Sequence, residues 1–446
     1  MSHKLIILGA GESGIGAALL GKKQGYDVFV SDGGTIKDNY KQELAVNQIS
    51  FEEGHHSWDK VLGADEIVKS PGIPEKSDLM KKVREAGVPV ISEIELAYRF
   101  STGKKIIAIT GSNGKSTTTA LTYHIFKNAG LDVAMVGNIG VSWARQVATE
   151  PAEYYVIEIS SFQLDDIKTF KPNVAILLNI TPDHLDRYDY KMENYVASKF
   201  RIAMNQTAED AFVYCMDDPE IMQHLAKQPI YSASIPFTIM KPLKEGGFVD
   251  KDQLHIDVNG EPVIMSMYDL SLKGKHNLYN SMAAAIAART MDIRKEKIRE
   301  SLTSFESLEH RMEYVATVKG VDFINDSKAT NVNSVWFALE SFEKPIVLIM
   351  GGIDKGNDYS AIRDLVKEKV KAIICMGVDN TPIINALSKD TPVMISTASM
   401  HDAVTEAFNQ ATKGDIVLLS PACASFDLFK NYEDRGRKFK EEVKGL

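Results

Sequence analysis

Cysteine is scarce in this chain: Cys215, Cys375 and Cys423 are the only three in 446 residues. They are far apart, odd in number and form no CxxC pair. That excludes a disulfide framework and reads as reduced thiols. Lysine and arginine form no block, and 51 basic against 60 acidic residues leave a net charge of −9. Nucleic acid and anionic membranes are therefore not expected partners, and small anionic ligands have to be met by local sites. No stretch approaches the ~18–20 apolar residues of a membrane span. The opening MSHKLIILGAGESG has too short an apolar run for a signal peptide and reads as a first strand, so a cytoplasmic location is expected. What the chain does have is 44% hydrophobic and 25% charged residues, ordinary for a soluble globular protein. Its length suggests about three domains at roughly 100–200 residues each.

Strand and helix patterns alternate from the start. KLIILGAG reads as a strand and glycine turn, IGAALLGKKQG as a helix, and DVFVSD, EIVKSPG and VPVISE as further strands. Such alternation implies a parallel sheet with crossover helices. SEIELAYRFSTGKK then reads as a helix and polar loop, where a domain boundary fits. A second α/β block opens with IIAITGSNGKSTTT and continues through DVAMVG, YYVIEIS and NVAILLNI. From about 210 to 270 short strands and turns suggest a small antiparallel patch on the domain edge. HNLYNSMAAAIAARTM is a helix, and a third parallel-type block follows with VDFIND, PIVLIMGG, KAIICMG and DIVLLSP. The expected fold class is α/β with three domains: residues 1–93, 94–306 and 307–446. The outer two are expected to be Rossmann-like and the middle one a P-loop-type ATPase with a parallel sheet.

The GSNGKST turn carries the main chemistry. Backbone N–H groups on a glycine turn that feeds a helix N-terminus form an anion site. Lys115 would reach terminal phosphates, and Ser116 or Thr117 could hold Mg²⁺ through a hydroxyl. Gly111 and Gly114 have two residues between them, where the strict P-loop pattern has four. GAGESG, Gly9 to Gly14, matches GxGxxG, with Asp32 ending the second strand; the turn suits NAD, another diphosphate such as that of a UDP-sugar, or a purely structural role. Glu158 ends a strand near the phosphate turn, as a Mg²⁺ ligand would. Asp183, His184 and Asp186 follow another strand end, with Lys199 on the next helix. Asn277 and Asn280 lie one helical turn apart. Arg311, Lys328 and Lys355 recur at strand ends or domain edges, available to an acidic second substrate or to phosphate charge.

In order and spacing, GSNGKST, EISSFQL, NITPDHLDRY, YVASKFRI, GKHNLYN, LEHRMEY, INDSKATN, GGIDKG and LLSPACASFDLFKNYEDRG resemble the Mur ligase family over essentially the whole chain. NDSKATN and SPACASFD point within it to the kind that adds D-glutamate. The resemblance implies a UDP-binding domain, a central ATPase and a C-terminal domain that closes over both. It implies ATP with two Mg²⁺, UDP-N-acetylmuramoyl-L-alanine and D-glutamate as substrates, and a monomer. Gly111, Asn113, Gly114, Lys115, Ser116 and Thr117 would cradle the phosphates, with Ser116 and Glu158 on one Mg²⁺. His184 and Lys199 would serve a second, Lys199 as a carbamate that offers oxygen ligands where an ammonium would repel the metal. Lys115, His184 and Lys199 would be the catalytic residues.

The same resemblance places Asn277, Asn280, Arg311 and Asp326 on the ATP side, with Ser327 and Lys328 in the adjoining motif. It places Asn138, Ser160 and Gln163 around the muramoyl-alanine part. Thr330, Lys355, Ser425, Phe426 and Tyr432 would surround D-glutamate. Glu12, Ser13, Asp32, Gly33 and Gly72 would form the uridine-diphosphate pocket. Gly33-Gly34 stands where some relatives carry a polar–basic pair, so the uracil end is expected to be built differently, and Tyr432 stands where phenylalanine is frequent. A folate-type polyglutamate ligase would share the ATPase but should lack the complete α/β block of about ninety residues that precedes the phosphate turn here. An NAD-dependent dehydrogenase would use GAGESG without needing ATP.

Overall fold

The computed structural model describes residues 3–260, 262–306 and 308–446, so residue 307, the expected start of the third block, lies outside the described residues. The chain forms two compact units: Met1–Leu270 with Tyr279–Phe305, and Ser271–Leu278 with Glu306–Leu446. The first unit contains two sheets. Strands β1 (Lys4–Leu8), β2 (Asp27–Asp32), β3 (Ser50–Glu53), β4 (Glu66–Lys69) and β5 (Val90–Ile91) pair in the order β3-β2-β1-β4-β5, all parallel. This is the doubly wound order 3-2-1-4-5-6 without its sixth strand, and sheets of this kind bind ligands beyond the carboxyl ends of their strands.

The second sheet of the first unit is built from β6 (Lys105–Thr110), β7 (Val133–Gly137), β8 (Tyr154–Glu158), β9 (Val174–Leu177), β10 (Ala211–Cys215), β11 (Ala233–Thr238), β12 (Gly246–Asp250), β13 (Gln253–Asp257) and β14 (Val263–Ser266). Their order is β14-β13-β12-β11-β10-β9-β6-β8-β7. The antiparallel patch is narrower than the sequence suggests. β10 and β11 extend the parallel sheet, β12 joins β11 in parallel, and only β12-β13-β14 is antiparallel.

The second unit carries β15 (Glu313–Val318), β16 (Val321–Asn325), β17 (Ile346–Met350), β18 (Val370–Met376), β19 (Met394–Thr397) and β20 (Ile416–Leu419), in the order β15-β16-β20-β17-β18-β19. Only β15 runs antiparallel to its neighbour. Side chains alternate across this sheet as strand geometry requires. Ile346, Leu348 and Met350 enter one apolar cluster, and Val347 and Ile349 enter the cluster on the opposite face. β17 is buried at every position, which is why it reads as a continuous apolar run.

Three strands escape a reading of the sequence: β3 (SFEE), β15 (EYVATV) and β19 (MIST). Each is a sheet edge, and each is exposed or only half-buried along its length. Edge strands bury too little to need an apolar run.

The first turn shows how close packing specifies glycine. A Cβ on Gly14 would sit 1.8 Å from the carbonyl oxygen of Gly9. Gly14→Ala improves helix propensity yet must push that backbone aside. We expect it to lower stability by about 1–3 kcal/mol, read as an earlier urea or thermal unfolding midpoint; an unchanged midpoint would show that the turn has slack.

Candidate active site

At the end of β1, Gly9 takes φ +90° and its N–H donates to the Ser31 carbonyl at 3.0 Å. Gly11 caps the helix Glu12–Lys23 and, as glycine, brings no side chain to the helix's first N–H groups. The Asp32 carboxylate braces the turn instead of capping the helix: it accepts from Ala10 N at 2.6 Å and from Gly34 N at 2.8 Å. Ser13 is half-buried, and Gly33 and Gly72 are exposed. Two residues packed beside these carried no sequence signal. His56 binds Ser31 Oγ at 2.7 Å and would meet a Cβ on Gly33 at 3.1 Å. Burial lowers its pKa, which favours the neutral ring. Arg187 donates to the carbonyls of Pro71 and Ile73, holding the Gly72 loop, while its guanidinium lies 4.3 Å from the Phe162 ring centre.

The GSNGKST turn leaves β6 with Gly111 at φ +155° and Gly114 at φ +81°, the latter opening the helix Lys115–Asn128. Ser112 N and Asn113 N are held by Asn179, through its carbonyl at 2.9 Å and its side-chain oxygen at 2.8 Å. Lys115 Nζ folds back onto the carbonyls of Gly111 and Ser112, each at 2.8 Å. Ser116 is fully buried. Asn280 packs against the same turn: its Oδ1 accepts from Thr118 Oγ1 at 3.1 Å and would lie 2.4 Å from a Cβ on Gly114. A side chain at 114 is thus excluded twice, by the left-handed backbone and by Asn280. Asn277, one turn earlier on the helix Lys275–Thr290, belongs to the second unit and donates to the Lys273 carbonyl at 2.8 Å.

Lys199 donates to Gly111 O at 2.8 Å, the same oxygen that Lys115 uses. It is buried, and its amine lies 4.6 Å from the Tyr195 ring centre. Burial, and then the charge of Lys115, hold its pKa well below the usual lysine value. Both effects disfavour the charged form of the amine. Glu158 ends β8 nearly inaccessible to solvent and accepts from Asn138 Nδ2 at 2.8 Å. Ser160 and Gln163 form a capping box at the start of the helix Ser161–Leu164, each holding the other. His184 takes a left-handed backbone, with its ring 5.3 Å from that of Phe162 and half exposed.

In the second unit the expected residues lie in the segments beside strand ends. Arg311 lies between His310 and Met312, which have φ +66° and +45°. Asp326 is buried and accepts from Ser420 Oγ at 3.0 Å and Met312 N at 3.2 Å. Ser327 Oγ donates to the Tyr432 carbonyl at 2.8 Å, and the Lys328 amine lies 5.1 Å from the Tyr432 ring centre. Ser425 is buried, Thr330 half-buried, and Lys355 and Phe426 exposed. Arg435 is missing from the sequence-level site. Fully buried, it donates to Ser327 Oγ and to the carbonyls of Ser327, Gly351 and Cys423, joining the ends of β16, β17 and β20. Burial pulls its pKa down to about 10.

A metal would meet hard oxygen donors: the buried hydroxyl of Ser116 and the buried carboxylate of Glu158. Among the described residues no three His, Cys, Asp or Glu converge as a closed metal cage. That donor set suits Mg²⁺, which keeps waters and phosphate oxygens and takes only one or two protein ligands. Among the same residues no helix is long and apolar enough to cross a membrane.

Comparison with known proteins accounts for the whole chain. Residues 4–79 match the MurD N-terminal domain, residues 109–288 the Mur ligase middle domain, and residues 310–423 the Mur ligase glutamate ligase domain. UDP-N-acetylmuramoylalanine--D-glutamate ligase of Christiangramia forsetii is 53% identical, covering 100% of both chains. Its counterpart in Porphyromonas gingivalis is 50% identical over 100% of this chain and 99% of its own. The fold is shared with UDP-N-acetylmuramate-alanine ligase MurC of Thermotoga maritima (TM-score 0.62, 18% identity, 99% of each chain). It is shared also with MurF of Acinetobacter baumannii (TM-score 0.64, 15% identity, 98% of this chain and 93% of that one). The chain belongs to the Mur ligase family.

Proposed function

We propose that this protein is an ATP-dependent ligase that joins D-glutamate to UDP-N-acetylmuramoyl-L-alanine in peptidoglycan precursor synthesis. The glycine turn 111–114, with two lysine amines on one carbonyl oxygen, carries this reading. The full-length likeness to curated D-glutamate ligases selects the substrates. MurF of Thermotoga maritima, which has the same fold, has been solved with ADP. Residues 1–93 would hold the UDP moiety, 94–306 ATP, and 307–446 the amino acid. The reaction belongs in the cytoplasm, and the enzyme acts as a monomer.

The chemical obstacle is the acceptor carboxylate, whose charge repels nucleophiles. Phosphoryl transfer from ATP makes it an acyl phosphate, and the amine of D-glutamate then displaces phosphate to form the amide. Lys115 leaves the carbonyls of its own turn for the β- and γ-phosphates and neutralises charge as the phosphoryl group moves. The N–H groups at the start of the helix Lys115–Asn128 would orient the same phosphates. Ser116 and Glu158 would hold Mg²⁺, which supplies charge neutralisation between phosphate oxygens. Asn138, already bonded to Glu158, keeps that carboxylate in place and faces the muramoyl-alanine part. His184 and a carbamylated Lys199 would serve a second Mg²⁺. A neutral buried amine is the form of lysine that adds carbon dioxide, so the lowered pKa of Lys199 favours the modification. Asn277, Asn280, Arg311 and Asp326 would contact ATP. Thr330, Lys355, Ser425, Phe426 and Tyr432 would receive D-glutamate, with Lys355 opposite one of its carboxylates.

Phosphate release that requires both UDP-N-acetylmuramoyl-L-alanine and D-glutamate is the direct test; release with either alone, or none with both, defeats the assignment. Lys199→Ala is expected to lose most activity and to regain part of it with added short-chain carboxylate; full activity in that variant would remove the carbamate role. Asp326 yields a pH prediction. Burial raises its pKa to about 7, against the opposing pull of Ser420 and Arg311. Between about pH 4 and 7 the folded state binds more protons than the unfolded state, so this group makes stability fall as pH rises across that window. Asp326→Asn should flatten that part of the stability–pH curve; a curve parallel to wild type would mean that the carboxyl is ionised when folded.

A further inference from the structure

Glu12 stands where a nucleotide diphosphate is expected, in the first turn of a helix with no side-chain cap. A carboxylate there is a like charge beside the ligand. Its oxygens are engaged elsewhere. Oε1 accepts from Arg145 Nε at 2.7 Å and from Ser142 N at 3.1 Å, and Oε2 from Arg145 Nη2 at 3.0 Å and Tyr40 OH at 3.3 Å. The other face of the Arg145 guanidinium pairs with both oxygens of Glu43, on the helix Asp38–Val46. Arg145 keeps only 17% of its side chain exposed.

Arg145 itself is fixed by packing. It lies on the helix Trp143–Thr149, which follows β7 and the loop that begins at Asn138. A Cβ on Gly16 would come within 1.9 Å of Ser142 Oγ and 2.9 Å of Arg145 N, so the helices touch where only glycine fits. The buried carboxylate of Glu93 accepts from Ala144 N and holds the start of the same helix. The cation is thus delivered by a rigid element of the second sheet to an acid on the first.

We propose that Arg145 is a positioning residue for the UDP substrate: it draws the Glu12 carboxylate away from the diphosphate turn and so lets an otherwise acidic turn accept an anion. This rests on the reading of that turn as the diphosphate site. Released from Arg145, Glu12 becomes an unneutralised charge facing the ligand, and like charges across a binding site weaken it. The effect falls on UDP-substrate binding, leaving phosphoryl transfer alone.

Steady-state kinetics on the full chain test this with Arg145→Met, which keeps the apolar stem, and with Glu12→Gln added to it. Arg145→Met should raise KM for UDP-N-acetylmuramoyl-L-alanine about tenfold, with kcat and the KM for ATP within about twofold of wild type. Glu12→Gln in that background should bring KM back at least about threefold. The raised KM should also fall as salt is added, since repulsion between exposed charges is screened. A double variant no better than the single one, or a salt-independent KM, would mean that Arg145 only packs, and would overturn the proposal. Should Arg145→Met melt below the assay temperature, Arg145→Gln, which is also uncharged, carries the same comparison with and without Glu12→Gln. If wild type releases no phosphate with UDP-N-acetylmuramoyl-L-alanine and D-glutamate, the functional reading falls and this proposal with it. If wild type is active and Arg145→Met keeps its KM, this proposal alone falls.

Discussion

A single backbone carbonyl organises the GSNGKST turn. Gly111 O accepts two lysine amines, Lys115 from the turn's own helix and Lys199 from a helix 88 residues further along the chain. Two ammonium groups on one acceptor repel each other, and the buried one is the one whose charged form costs more. The pair therefore divides its roles. Lys115 keeps part of its side chain in solvent, whereas burial and the charge of Lys115 disfavour the charged form of Lys199. Gly111 can offer its carbonyl this way only because its φ of +155° suits glycine. Asn179 and Asn280 then fill the remaining space around the turn.

The second unit solves a related problem with a different residue. Its sheet ends in loops that carry Lys328, Lys355 and Ser425, and loops alone would hold these poorly. Arg435 ties three of those strand ends together through neutral carbonyls. Five donors in a fixed fork suit arginine to this task. Asp326, buried nearby in the same unit with a raised pKa, keeps a polar centre that a change of protonation can disturb.

Charge is managed locally throughout. The chain carries a net −9, yet its inferred ligands are a UDP-sugar, a nucleoside triphosphate and an acidic amino acid. Acids near the expected anion sites are consequently engaged: Asp32 by backbone N–H groups, Glu12 by Arg145, Glu158 by Asn138. Helix N-termini and glycine turns supply the positive potential that the composition lacks.

Sequence alone determined the fold class, the parallel sheets and the glycine turn that opens the helix Lys115–Asn128. A strand buried on both faces such as β17 reads as an apolar run, and the Gly111–Gly114 turn takes backbone angles that favour glycine; both demands are local and leave marks at fixed spacing. The ordered motifs extended that to a family. Tertiary structure decided the rest. β3, β15 and β19 lie at sheet edges, where half-burial removes the apolar signature. Arg145, Arg187 and Arg435 look like ordinary surface cations in the sequence, because their partners lie up to 133 residues away. Which arginine is buried, which glutamate it neutralises and which carbonyl two lysines share depend on how distant segments meet. No local pattern encodes that, since the energy that selects it comes from desolvation and pairing in the folded state.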